Sequence, residues 1–373
     1  MKALKYWVSG VATLAMLLSQ TLSAQQQMPS AMPANWQTEW EKTIALGRGE
    51  GKLLIYSIVG PDVKKALTEP FKEKYGIDIQ WVSGVGTELN QKIFSERRAG
   101  LYLGDLYLGG STPPIVDLKP AGVLAPIKPL LILPEVLNAK AYYEGRLPFI
   151  DREGIYTLAH GLAVANVIAV NSEMVKSGEI KSYDDLLAAR WKNNIVFGDP
   201  TIGGTTGEWF MVTALFTMTP DFHRHLAMQN PILTRDTRLH VEWVARGKYA
   251  IALAPYKERV AEFQKVGAPL KWVVPTGEQY LSASSTLSYL DRAPHPNAAK
   301  VFINWFLSKE GLAAWSRAAK MQSAREDVST DFLPPEAIRK SSVRYFNTAR
   351  EEVLLKSIDA KDLARGIYGP LLK

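Results

Sequence analysis

Apolar positions along this chain repeat in two alternating rhythms. Residues 53–56 form an apolar run of strand length, and Pro61 then opens a segment with Val63, Leu67 and Phe71 at four-residue spacing, which predicts a strand followed by an amphipathic helix. The same pair recurs twice. Residues 77–82 read as a strand, Gly84-Val85-Gly86-Thr87 as a turn, and Leu89 with Ile93 as a helix face; residues 106–108 read as a third strand before Gly109-Gly110-Ser111-Thr112 and a helix opened by Pro113 and Pro114. Upstream, Trp36, Trp40 and Ile44 share one helical face, and Gly47, Gly49 and Gly51 are expected to end that helix. Strands alternating with helical runs imply an α/β fold with parallel sheets flanked by helices.

The second half repeats the rhythm after a proline-rich connection. Residues 156–170 are almost wholly apolar around the single His160, too long for one ordinary strand, and read as a strand or strand pair crossing between two lobes. Beyond it the pattern predicts a helix at 183–189, a strand at 195–197, a loop at 199–206, helices at 206–217 and 236–246, a strand at 250–253, a return strand near 281–290 and a helix at 297–307. The tail from Asp331 onward reads as helical and peripheral. Trp191, Trp209, Trp243 and Trp305 fall on apolar helical faces and are expected in the core.

The first residues follow neither rhythm. Lys2 and Lys5, an apolar run from residue 7 to 18 and Leu22-Ser23-Ala24 have the three parts of a secretory signal peptide, with cleavage expected after Ala24. The run is shorter than the roughly 18 to 20 residues a membrane span needs. Residues 25–35 read as a flexible leader. The expected organisation is then lobe 1 at 36–157 plus 286–325, lobe 2 at 158–285 and a C-terminal helical segment at 326–373. The absence of cysteine removes lipid anchoring through an N-terminal cysteine, disulfides and thiolate chemistry, and favours a free periplasmic protein, expected as a monomer. Net charge is +7, and loss of the two leader lysines leaves +5. The basic residues are dispersed, which argues against nucleic acid and suits attraction of a small anion.

Four predicted strand-to-helix turns end in glycine or small hydroxyl residues, at Ser57, Ser83 to Thr87, Gly109 to Thr112, and Thr201 to Thr206. In open parallel sheets ligands bind where strands end and helix N-termini leave N–H groups unpaired, so such turns describe a donor-rich crevice. Candidate ligand-binding residues are Ser57, Ser83, Thr87, Gly110, Ser111, Thr112, Gly204, Thr205, Thr206, Arg235 and Tyr256, with Lys257 beside them. Helix capping competes with this reading, and Thr205 with Glu208 has the spacing of a capping box. Arg235 could clamp a carboxylate or phosphate, or pair with Asp236 on the surface. Residues 83–87 resemble part of a dinucleotide fingerprint, but Leu89 stands where its third glycine belongs. His223 and His225, near Asp221, lack a third ligand at metal spacing and read as solvated surface residues. The hydrolase motifs H-E-x-x-H, G-x-S-x-G and S-x-x-K are absent, so no enzymatic activity and no cofactor are expected.

Segments 39–57 (EWEKTIALGRGEGKLLIYS), 183–200 (YDDLLAARWKNNIVFGDP), 244–253 (VARGKYAIAL) and 295–314 (HPNAAKVFINWFLSKEGLAA) together resemble family 1 extracellular solute-binding proteins, and within them the ferric-iron-type periplasmic binding proteins of ABC importers. The resemblance implies a two-lobe periplasmic binding protein fold of type II, joined by crossing hinge strands, that closes on a ligand and delivers it to an inner-membrane ABC permease. Iron-binding members supply a histidine after the first strand, an acidic residue after the third, and paired tyrosines after the strand following R-G-x-x-A-I. Here those stretches read Ser57-Ile58-Val59-Gly60, Gly109-Gly110-Ser111 and Pro255-Tyr256-Lys257, with one tyrosine left. Ferric iron needs anionic oxygens, so the expected ligand is a small phosphorylated or carboxylated organic anion, or an oxyanion. The alternatives are a ferric or metal-chelate binder using Tyr256 with a synergistic anion, a ligand-presenting sensor, and an exported hydrolase with a dispersed triad.

Overall fold

The computed structural model of the protein describes residues 35–202, 204–275 and 279–372. The signal peptide expected at 1–24 and all of the expected leader except Asn35 lie outside the described residues. In chain order, α1 (Trp36–Glu50) leads into β1 (Lys52–Ser57), α2 (Pro61–Tyr75), β2 (Asp78–Ser83), α3 (Gly86–Arg98), β3 (Leu106–Gly109), β4 (Leu124–Ala125), α4 (Pro134–Leu137) and β5 (Thr157–Val164). The middle of the chain holds β6 (Ile168–Asn171), β7 (Ile195–Gly198), α5 (Gly204–Val212), α6 (Pro220–Met228), β8 (Ile232–Thr234), α7 (Thr237–Ala245), β9 (Ile251–Leu253), α8 (Lys257–Lys265) and β10 (Leu270–Val273). The last stretch is β11 (Tyr280–Leu290), α9 (Pro296–Leu307), α10 (Lys309–Ala319), β12 (Phe346–Asn347), α11 (Glu351–Leu354) and α12 (Ser357–Tyr368).

Two sheets result. The first runs β12-β11-β3-β1-β2, with β4 and β5 also on β11; the second runs β10-β6-β9-β7-β8. Parallel pairing joins β1 to β2 and β3 in the first sheet, and β7 to β8 and β9 in the second. The antiparallel strands β5, β6, β10 and β11 are those by which the chain leaves one sheet and returns from the other. The apolar run at 156–170 is therefore a strand pair, broken only at residues 165–167, where the chain passes between sheets.

Each sheet has its own core. On the first, Leu53 and Ile55 of β1 pack with Phe71 of α2 and with Phe302, Trp305 and Trp315 of α9 and α10. On the second, Phe197 of β7 packs with Trp209 and Phe210 of α5, Phe222 of α6 and Tyr368 of α12. Each such side chain removed from water contributes roughly 1.5 to 3 kcal/mol. Gly161 of β5 permits one close approach, since a Cβ there would lie 2.3 Å from the Trp315 ring.

Several sequence expectations change: α1 runs through Gly47 and Gly49 to Glu50, and His223 is buried rather than solvated. The helix at 183–189 is two short 3-10 turns, Asp184–Leu187 and Ala189–Trp191. The Asp185 carboxylate accepts the Lys181 and Ser182 N–H groups at 2.8 Å, and Ala188 is extended, which breaks the helix. The helix expected at 206–217 starts earlier, at Gly204, and its last turn, Thr213–Thr217, widens to π geometry. The tail is not peripheral: β12 joins the first sheet, while Ala364 and Tyr368 are fully buried in the second core. Among the described residues no helix is long and apolar enough to cross a membrane.

Candidate ligand-binding site

A cleft of about 480 Å³ is lined by residues of both halves and of the strands that cross between them. The turns that reach it follow the inner strands of each sheet. Ile58 to Gly60 come from the end of β1, Gly109 from β3, Thr205 from the α5 turn after β7, and Tyr256 and Lys257 from the turn after β9. β2 and β8 are edge strands, and the turns that follow them do not line the cleft. That topology sorts the sequence candidates.

Thr205 and Tyr256 line the cleft. Gly204 has φ +70, and a Cβ on it would meet the Tyr256 hydroxyl at 2.2 Å, so a glycine here seats Tyr256 against the start of α5. Thr205 and the buried Thr206 both donate to Ala254 O, at 2.9 and 3.3 Å, which ties the α5 turn to the end of β9. Ser57 is fully buried, donating to Leu108 O and accepting from Val59 N; its neighbours reach the cleft and its hydroxyl does not. Gly110 accepts at its carbonyl from Thr286, Ser111 is buried, and Thr112 is exposed without a capping hydrogen bond; of that turn only Gly109 lines the cleft. Ser83, bonded to Lys64, and Thr87 are exposed beside edge strand β2. Arg235 follows edge strand β8 and pairs with Asp199 at 2.8 Å rather than with Asp236, whose carboxylate instead caps α7. Thus neither Arg235 nor the β2 turn is brought to the cleft.

Several lining residues carry no motif. His160 is the extra residue of a bulge in β5, between the Ala159–Thr286 and Gly161–Ser285 pairs, and lines the cleft. It is 1% exposed and edge-on to Trp315 at 4.5 Å; burial lowers its pKa to about 3, so the ring is neutral. Its Nδ1 has no hydrogen-bond partner among the described residues. A lone histidine inside a long apolar run was the signal for it. Glu208 does not close a capping box with Thr205: its Oε2 lies 2.8 Å from Ser282 Oγ and its Oε1 2.8 Å from Thr348 Oγ1. Burial raises its pKa, with the two hydroxyls pulling the other way. Lys257 keeps 46% of its side chain exposed, with Glu258 at 4.0 Å; desolvation lowers its pKa and Glu258 opposes that. The remaining walls are largely apolar, including Val59, Val164, Val167 and Trp315. Among the described residues no three His, Asp or Glu side chains are grouped to hold a metal.

Two sheet-and-helix halves around such a cleft define a two-lobed periplasmic binding protein fold. Residues 66–340 match the bacterial extracellular solute-binding proteins, and the chain belongs to that family. An uncharacterized protein of Haemophilus influenzae is 24% identical over 283 residues, 73% of this chain and 78% of that one. The periplasmic binding protein AfuA of Actinobacillus pleuropneumoniae, solved with exogenous fructose-6-phosphate bound, is similar with a TM-score of 0.60 at 21% identity, covering 86% of this chain and 99% of AfuA. IdiA (FutA) of Trichodesmium, solved with iron and citrate, gives 0.64 at 19% identity over 85% and 99%. At these identities the likeness is one of fold.

Proposed function

We propose that the protein is the periplasmic solute-binding component of an ABC importer and captures a small organic anion, carboxylated or phosphorylated, in the cleft. The observation that carries the reading is the meeting of two helix starts. α5 begins at Gly204 and α8 at Lys257, and the Tyr256 hydroxyl lies against Gly204 between them. Helix N-termini present unpaired N–H groups and favour negative charge. Tyr256 and Lys257 add side-chain donors there, and among the described residues Lys257 has only Glu258, at 4.0 Å, as an acidic partner. The protein exports through a signal peptide cut after Ala24, works as a monomer without a cofactor, and hands its ligand to an inner-membrane permease rather than transforming it.

The test is a thermal-shift screen of refolded, ligand-free protein against carboxylated and phosphorylated compounds and ferric citrate. An anion at a hundredfold excess over its Kd should add roughly 2.7 kcal/mol of stability. Lys257→Glu should weaken that anion at least tenfold while the unliganded melting temperature stays within a few degrees. Stabilisation by ferric iron alone, lost in Tyr256→Phe and indifferent to Lys257→Glu, would overturn the reading.

A further inference from the structure

We propose, resting on the reading of the cleft as an anion site, that its ligand also carries a protonated amine and that Glu208 is the residue that accepts it. The cleft then selects an amino-bearing organic acid over the acid alone.

The argument is a charge inventory of the cleft wall. Lys257, Lys320, Glu208 and Glu258 line it, and among the described residues Lys257 comes no closer than 4.0 Å to a carboxylate oxygen. Among the described residues the side chains that bond to the Glu208 oxygens are both hydroxyls, on Ser282 and Thr348. Lys257 thus has Glu258 beside it, while Glu208 has no basic partner among the described residues. A carboxyl in a largely apolar wall is costly, and a structural link between two hydroxyls could be made by an amide. What the acid alone offers is a counter-charge for a cation, through charge-assisted hydrogen bonds about twice as strong as neutral ones.

Placement supports the pairing. Glu208 follows Thr205 by three residues on α5, so the two share a face of that helix, and both line the cleft. Ser282 lies on β11, and Thr348 follows β12 with its hydroxyl 2.8 Å from Leu281 O. Leu281 O also accepts from Thr348 N at 3.1 Å, which leaves the Thr348 hydroxyl to donate to Glu208 as Ser282 does. Two neutral donors bond the carboxyl oxygens without balancing an ionised charge, and a ligand ammonium supplies that counter-charge. The acid end of the same ligand is left for Lys257, Tyr256 and the helix starts.

The test uses matched pairs that differ only in the amine: butyrate and γ-aminobutyrate, hexanoate and ε-aminohexanoate, ethyl phosphate and phosphoethanolamine. Each is titrated calorimetrically into ligand-free wild type and Glu208→Gln. In at least one pair the aminated member should bind the wild type tenfold or more tightly than its partner. Glu208→Gln should bring that ratio close to one while the amine-free acid keeps its affinity within threefold. The wild-type ratio tests the idea even if the variant folds poorly. Acids that bind with no amine preference in any pair, or a preference that survives Glu208→Gln, would overturn this inference and leave the anion reading standing. Failure of every acid to bind would overturn both.

Discussion

The imidazole of His223 is held in one tautomer by its neighbours. Thr213 donates its hydroxyl proton to Trp209 O at 2.6 Å, so it must accept from His223 Nε2–H at 2.7 Å; Nδ1 is then left to accept from the Tyr368 hydroxyl at 3.0 Å. Burial lowers the pKa of this ring to about 3. An unfolded histidine titrates near 6.5, so the neutral ring adds stability that is complete above that pH and is lost as pH falls toward 3. His223→Gln keeps hydrogen-bonding groups but cannot titrate. Below about pH 6 the wild type should lose stability faster than this variant, by roughly 1.4 kcal/mol per pH unit, in urea melts run at successive pH values. Parallel pH curves would refute the assignment. The sequence misleads at this residue. His223 and His225 are two apart and so lie on different faces of α6; His225 is exposed, while His223 shares the buried face with Phe222 and Leu226.

Among elements, α12 has the least expected role. Its Tyr368 is fully buried and meets Phe197 at 5.3 Å and Phe210 at 5.9 Å, while β12 and Thr348, a few residues earlier, hold to β11. Glu351 accepts from Lys119 at 2.6 Å and from Arg152 N at 2.8 Å. The tail therefore bonds to the half built on the first sheet and packs on the core of the second. Tyr368→Ala should cost about 3 to 5 kcal/mol in equilibrium unfolding; a loss below 1 kcal/mol would return the tail to the periphery. Strands and helices with a clear apolar period, such as residues 53–56, 61–71 and 297–307, were legible in the chain. The tail was not, because Ala364 and Tyr368 are spaced for burial only against a surface that α5 and α6 supply.

At the scale of the molecule, the cleft is set by which strands are central. A glycine turn after a strand is visible in sequence, and this found Thr205. The order of strands is not visible, and it excludes Ser83, Thr87 and Arg235 because β2 and β8 are edges. Glu208 and Ser282 were hidden for a related reason: their partners are 74 residues apart. With the halves joined by the β5–β6 connection and by the tail, ligand should draw them together by hinge bending. Small-angle scattering should record a smaller radius of gyration at saturating ligand, and an unchanged radius would contradict closure. The most direct test of what the cleft holds is native mass spectrometry of the protein recovered from the periplasm. The account predicts a chain beginning at Gln25 with one organic acid bound, lost on Lys257→Glu. A ferric ion bound in place of any organic acid, unaffected by that charge reversal, would contradict it.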